Sequence, residues 1–155
     1  MGYDILVLDH HEAERYSDHA VVINNQLSKN YPNKALSGVG VVYKFLEHID
    51  YETQKENLKE EEGFVEPYSY NYLDLVALGE ISDVMDMTTL ENRWIVSAGL
   101  SNINNKFFQT LIDKQSFSLK SDEKPLDQIG VAFYITPLIN ALIRVGSPIE
   151  KERLF

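Results

Sequence analysis

Two short unbroken apolar runs open the chain. Ile5-Leu6-Val7-Leu8 lies between Asp4 and Asp9, and Ala20-Val21-Val22-Ile23 is closed by Asn24-Asn25. Neither alternates polar with apolar, so both predict strands covered on both faces, as in a parallel sheet. From Ser37 the period becomes helical: Val39, Val42, Leu46 and Ile49 share one face, with Ser37 as the N-cap. Further helices are predicted over about Tyr72–Val84, Leu90–Ile103 and Phe107–Ile112, then a polar linker through Ser116–Pro125. Thr136-Pro137 marks a helix start and Gly146 its stop. Ser147-Pro148-x-Glu150 is a capping box opening one more helix, which reaches Leu154-Phe155 with no stop signal. The fold class expected is α/β, short parallel strands followed by a mainly helical region. A two-stranded parallel pair is not stable alone, so neighbours are expected from further chain or from a second copy, and exposed strand edges favour homo-oligomers.

Composition narrows the chemistry. The chain of 155 residues has no cysteine, which excludes disulfides, thiolate metal sites and cysteine nucleophiles. No apolar run is read as approaching the roughly 18–20 residues of a membrane span, and Met1-Gly2-Tyr3-Asp4 is not a signal peptide, so a cytoplasmic protein is expected. The formal charge is −10, which disfavours a freestanding nucleic-acid binder. Half of that excess sits in Asp50–Glu66, where Asp50, Glu52, Glu56, Glu60, Glu61, Glu62 and Glu66 face only Lys55 and Lys59. That segment reads as a solvated helix end and loop, an acidic connector over 51–71 between a sheet-bearing part (1–50) and a helical part (72–155).

Asp9-His10-His11 follows the first strand directly, at the carboxyl end where ligands gather in open α/β sheets. Adjacent histidines point apart, so one can bind a metal while the other meets a substrate oxygen, and the aspartate can hold an imidazole in one tautomer. The same residues also fit a solvated strand end. On the Tyr72–Val84 helix, Glu80 and Asp83 fall toward the apolar face, where an ionised carboxylate is costly unless paired or metal-bound. A slight rotation of that helix would instead leave Asp83 rimming the core. Asp4, Asp74 and Asp86 read as caps or surface acids. Asn140 and Arg144, four residues apart, share a face the apolar residues leave free, and arginine there can grip a phosphate or stand at the surface without a partner. Ser37-Gly38-Val39-Gly40 opens a helix whose free N–H groups suit an anion, or whose glycines allow close packing.

Taken together, these blocks resemble one family. Asp4-Ile5-Leu6-Val7-Leu8-Asp9-His10-His11 is similar to the signature strand of the DHH phosphoesterase superfamily. Leu36–Val41, Leu73–Val84, Asn92-Arg93…Gly99-Leu100 and Ile129–Phe133…Pro137–Ala141…Arg144 resemble successive stretches of bacterial RecJ. The resemblance implies a partial DHH domain of a single-strand-specific DNA exonuclease, degrading from the 5′ end with Mn²⁺ or Mg²⁺. It implies His10 and Asp83 as metal ligands, Asp9 as ligand or support, and His11, Asn140 and Arg144 at the substrate phosphate. Single-stranded DNA is the implied substrate, with replication and repair proteins as further partners. The family's upstream acidic motifs and its downstream Gly-Gly-His domain have no counterpart in these residues, which implies a fragment inactive by itself. Locally, Glu80 stands where relatives carry a small or hydroxyl residue, Leu142-Ile143 replaces Ala-Gly, and Leu138 replaces an arginine. Such divergence suits a phage or mobile-element relative. Two alternatives stand beside this reading: a DHH phosphodiesterase acting on short oligonucleotides or cyclic dinucleotides, and a non-catalytic scaffold.

Overall fold

The computed structural model describes residues 2–15, 17–59, 64–120 and 124–153. Glu60, Glu61 and Glu62 of the acidic segment and the terminal Leu154-Phe155 lie outside the described residues. Strands β1 (Leu6–Asp9) and β2 (Val21–Asn24) pair in parallel, with Leu6 opposite Val21 and Asp9 opposite Asn24. Helix α1 (Gly38–Lys59) packs against β1, and Leu8 and Ile23 join Leu36, Val41, Tyr43, Val76 and Ile95 in one apolar cluster. The strands are not covered on both faces as the unbroken apolar runs predicted. Leu6 is 47% and Val21 65% exposed although they share a face with Leu8 and Ile23, so the apolar cluster covers only the carboxyl end of that face.

A 3₁₀ turn (Tyr68–Tyr72) leads into α2 (Leu73–Ser82), which lies antiparallel-fashion against α3 (Leu90–Ser101) across their small residues. A Cβ added at Gly99 would meet the Leu73 carbonyl oxygen at 2.3 Å, so only glycine permits this approach. Helix α2 also underlies the second apolar cluster, in which Leu78 and Ile81 meet Val96, Phe108, Leu119, Val131 and Ile135. Two short helices, α4 (Lys106–Lys114) and α5 (Ser116–Leu119), cover that cluster. The latter occupies the start of the expected polar linker because Leu119 is buried in the core. Asp74 is 2% exposed and accepts from the backbone N–H groups of Asn104 and Asn105 at 2.9 and 2.6 Å, fastening the α3–α4 loop.

Helix α2 ends two residues earlier than its periodicity suggests. Val84 adopts φ 55°, a left-handed conformation, and the Met85 and Val84 N–H groups donate to the carbonyls of Glu80 and Ile81. These two bonds form a Schellman stop with valine at the position glycine usually fills. At the other end of the chain, the helix predicted to start at Thr136 begins earlier. Asp127 caps α6 (Gln128–Gly130), its Oδ1 accepting from the Gly130 N–H at 2.7 Å. Helical backbone continues through a π-type turn (Val131–Ile135) into α7 (Thr136–Val145). The widened turn accommodates Pro137, which has no N–H to donate, so the proline sits inside a continuous run. Read as one helix, Gln128–Val145 is long and apolar enough to cross a membrane by length and composition, contrary to the sequence reading. Its inner side chains Val131 and Ile135 are fully buried in the second cluster, while Ile129, Phe133, Ile143 and Val145 are exposed. Helix α8 (Pro148–Glu152) opens on the predicted capping box, with Ser147 and Glu150 satisfying each other's N–H groups.

Candidate metal and phosphate site

The carboxyl end of β1 delivers Asp9, His10 and His11 to the edge of α1, with the His10 ring against Gly38. A Cβ at Gly38 would lie 3.5 Å from His10 Cδ2. His10 is mostly buried, and its Nε2 faces Asp83 Oδ2 at 3.4 Å, with the Asp83 carboxylate half exposed. Asp83 is the C-cap of α2, so the helix end and not the helix face aims it. The rotation weighed from the sequence is the arrangement found, with Asp83 at the rim and Glu80 inside.

Asp9 does not join that pair. Its Oδ1 lies 2.7 Å from His11 Nδ1 and accepts from the His11 backbone N–H at 3.3 Å. The His11 bond is the main reason the Asp9 carboxyl is held below its ordinary range. The Asp9 contact occupies Nδ1 of the exposed His11 ring. Asn24 closes this arrangement from β2, donating Nδ2 to the His11 carbonyl at 2.9 Å and reaching Asp9 Oδ2 at 3.5 Å. The sequence offered Asn24 only as a strand stop. The two imidazoles lie 4.4 Å apart between centroids, tilted by 52°.

The opening turn of α1, read as an anion site, is filled from within. Ser37 Oγ accepts from the Gly40 N–H at 3.2 Å, as an N-cap should, while the Glu80 carboxylate accepts from Ser37 N–H at 3.1 Å and from Ser37 Oγ at 2.9 Å. Glu80 is fully buried, and burial pushes its carboxyl up to about 7 against the opposing Ser37 hydrogen bonds. Ser82 Oγ and Thr136 Oγ1, 2.9 Å apart, tie the end of α2 to the start of α7. Asn140 and Arg144 lie farther along α7, both exposed, and neither makes a side-chain hydrogen bond or ion pair among the described residues.

The structure thus brings His10 to Asp83 and Asp9 to His11 as two neighbouring pairs. Among the described residues no group of three or more His, Asp or Glu side chains converges. The His10–Asp83 pair still fits a cation. His10 Nε2 and Asp83 Oδ2, 3.4 Å apart, are the two atoms that would close on a shared ion. A carboxylate suits Mn²⁺ and Mg²⁺, and an imidazole suits transition ions, so the mixed pair fits Mn²⁺ better than Mg²⁺.

No protein-family model matches the chain. The protein named SPbeta prophage-derived single-strand DNA-specific exonuclease YorK, from Bacillus subtilis (strain 168), is 46% identical over 153 residues. Those residues are 99% of this chain and 24% of that protein. The single-stranded-DNA-specific exonuclease RecJ of Dickeya dadantii is 38% identical over 109 residues, 66% of this chain and 18% of its own length. A crystal structure of exonuclease RecJ bound to manganese superposes with a TM-score of 0.71 at 25% identity, over 97% of this chain and 34% of that one. The chain therefore spans between 16% and 25% of the length of the curated relatives that match it along nearly its whole extent. In sequence and in fold it is a relative of the RecJ-type single-strand-DNA-specific exonucleases, corresponding to one segment of them.

Proposed function

We propose that this chain forms the histidine-bearing part of a metal-dependent DHH-type exonuclease that hydrolyses single-stranded DNA from its 5′ end. The observation that carries the reading is the meeting of His10, from the end of β1, with Asp83, from the cap of α2, at 3.4 Å. These are an imidazole and a carboxylate brought together from distant parts of the sequence. They would hold Mn²⁺ or Mg²⁺, which when bound supplies Lewis acidity and an activated water. His11 stands beside them with its Nδ1 held by Asp9, so its Nε2 is the ring atom left to exchange a proton at a phosphate oxygen. Arg144 and Asn140 offer a guanidinium and an amide on the exposed side of α7 for the backbone of the strand.

Two protein donors do not complete a hydrolytic metal site, so the chain alone is expected to bind the cation weakly and to lack nuclease activity. The remaining ligands would come from segments such as those that make up the other three-quarters of its relatives. The test is digestion of 5′-labelled single strands of graded length with Mn²⁺, by this chain alone and by a full-length RecJ-type relative carrying these residues. The reading expects no products from the former and 5′-end release from long strands by the latter. Preference of the full-length protein for dinucleotides would favour the short-oligonucleotide phosphodiesterase instead.

A further inference from the structure

Glu80 is bonded to neither His10 nor Asp83, yet it joins the two helix ends between which they meet. Its fully buried carboxylate reaches from α2 to the cap of α1. Oε1 accepts from the Ser37 N–H at 3.1 Å and from Ser37 Oγ at 2.9 Å, and Oε2 lies 3.3 Å from the same nitrogen. On the α1 side the next residue is Gly38, where a Cβ would lie 3.5 Å from His10 Cδ2 and 4.0 Å from Nε2. On the α2 side Asp83 follows three residues later as the C-cap, and the Met85 N–H closes that turn on the Glu80 carbonyl at 3.0 Å. The bond to Ser37 therefore fixes the support of the ring relative to the support of the carboxylate.

Packing alone does not call for a carboxylate at this point. The helices already approach closely, since a Cβ at Gly79 would overlap Val39 Cγ1, and Val39, Val41 and Val76 share one apolar cluster. An apolar side chain of similar length would fill the same space without the cost of burying a carboxyl group. Among the described residues that group has Ser37 and no cation as its partner. What the carboxylate adds is direction: hydrogen bonds fix distance and angle, whereas apolar contact is non-directional.

We propose that Glu80 is a positioning residue for the cation pair: through Ser37 it sets the spacing between the His10 ring and the Asp83 carboxylate, and with it the affinity of the pair for Mn²⁺. The affinity rests on the proposed holding of a cation by His10 and Asp83, whereas the spacing is measurable without one. Glu80 acts through the two helix ends and supplies no ligand of its own.

The experiment is NMR on this chain, reading the cross-peaks from the His10 ring protons to Gly38 Hα and Asp83 Hβ, and then the Mn²⁺ concentration that broadens His10. Glu80→Gln keeps an acceptor for Ser37 and is expected to retain the cross-peaks and the parent's Mn²⁺ affinity. Glu80→Met is similar in length without an acceptor. It is expected to weaken the Asp83 cross-peak and to bind Mn²⁺ about tenfold more weakly, the low end of what is lost when a group that orients a metal ligand is removed. Ser37→Ala removes one of the two donors, so it falls between them and decides the matter if the methionine variant fails to fold. Val76→Ala thins the same interface without touching the bond, and should lower the melting temperature while leaving cross-peaks and affinity at the parent's values. Parent-like cross-peaks and affinity in Glu80→Met or in Ser37→Ala would overturn the positioning role, as would equal losses in Val76→Ala. Absence of Mn²⁺ broadening at His10 in the parent would sink the cation reading and the affinity claim with it, and the cross-peaks would still decide whether Glu80 sets the spacing.

Discussion

Glu80 occupies the space that a side chain on Gly40 would need. A Cβ at Gly40 would lie 2.1 Å from Glu80 Oε1 and 3.2 Å from Leu36 Cβ. In an ordinary capping box the third residue of the helix supplies the carboxylate that bonds the cap's N–H. Here that third residue is a glycine, and α2 supplies the carboxylate across the interface. Gly40→Ala, which in an exposed helix would stabilise by about 1 kcal/mol, should therefore destabilise by about 2–3 kcal/mol. Urea denaturation measures it. The double variant Gly40→Ala/Glu80→Ala should recover part of the loss, which a clash elsewhere would not allow.

The same carboxyl makes stability depend on pH. Burial raises the Glu80 carboxyl to about 7, above the ordinary glutamate value of 4.5. Between those values the folded state holds a proton that the unfolded chain releases, so this group's contribution falls as pH rises through that window. The loss approaches on the order of 3 kcal/mol above the window. Glu80→Gln keeps an acceptor for Ser37 and cannot titrate. Its unfolding free energy should match or exceed that of the parent at pH 8, and the difference should shrink toward pH 5.

Val84 bears backbone strain beside the half-exposed Asp83. Its φ of 55° costs a β-branched residue roughly 1–2 kcal/mol, and its side chain is 87% exposed. Val84→Gly should raise stability by about 1 kcal/mol, seen as a higher melting temperature. No gain would mean that the turn is held differently.

Local signals in the sequence located most of the elements. Ser37 before Gly38 read correctly as a cap, the Ser147–Glu150 box formed as spaced, and both apolar runs became strands in parallel register. What failed depended on tertiary context. The stop of α2 rests on a valine in a glycine's conformation, so nothing in the local sequence marked it. Pro137 read as a start because a π-type turn upstream, which accommodates it, leaves no signature in hydrophobic spacing. At the site, His10 and Asp83 were named from the resemblance and from helix geometry, and the structure sets them face to face. Asn24 was missed because its role is a hydrogen bond across the strand pair, which periodicity does not encode.

The most direct test of the proposed function follows Mn²⁺ as a paramagnetic probe on this chain, with and without His10→Ala and Asp83→Ala. The account predicts that broadening centres on His10 and Asp83 in the parent chain and disappears in each variant, while both variants keep the parent's circular dichroism. Broadening confined to the acidic residues of Asp50–Glu66, or unchanged in the two variants, would contradict it.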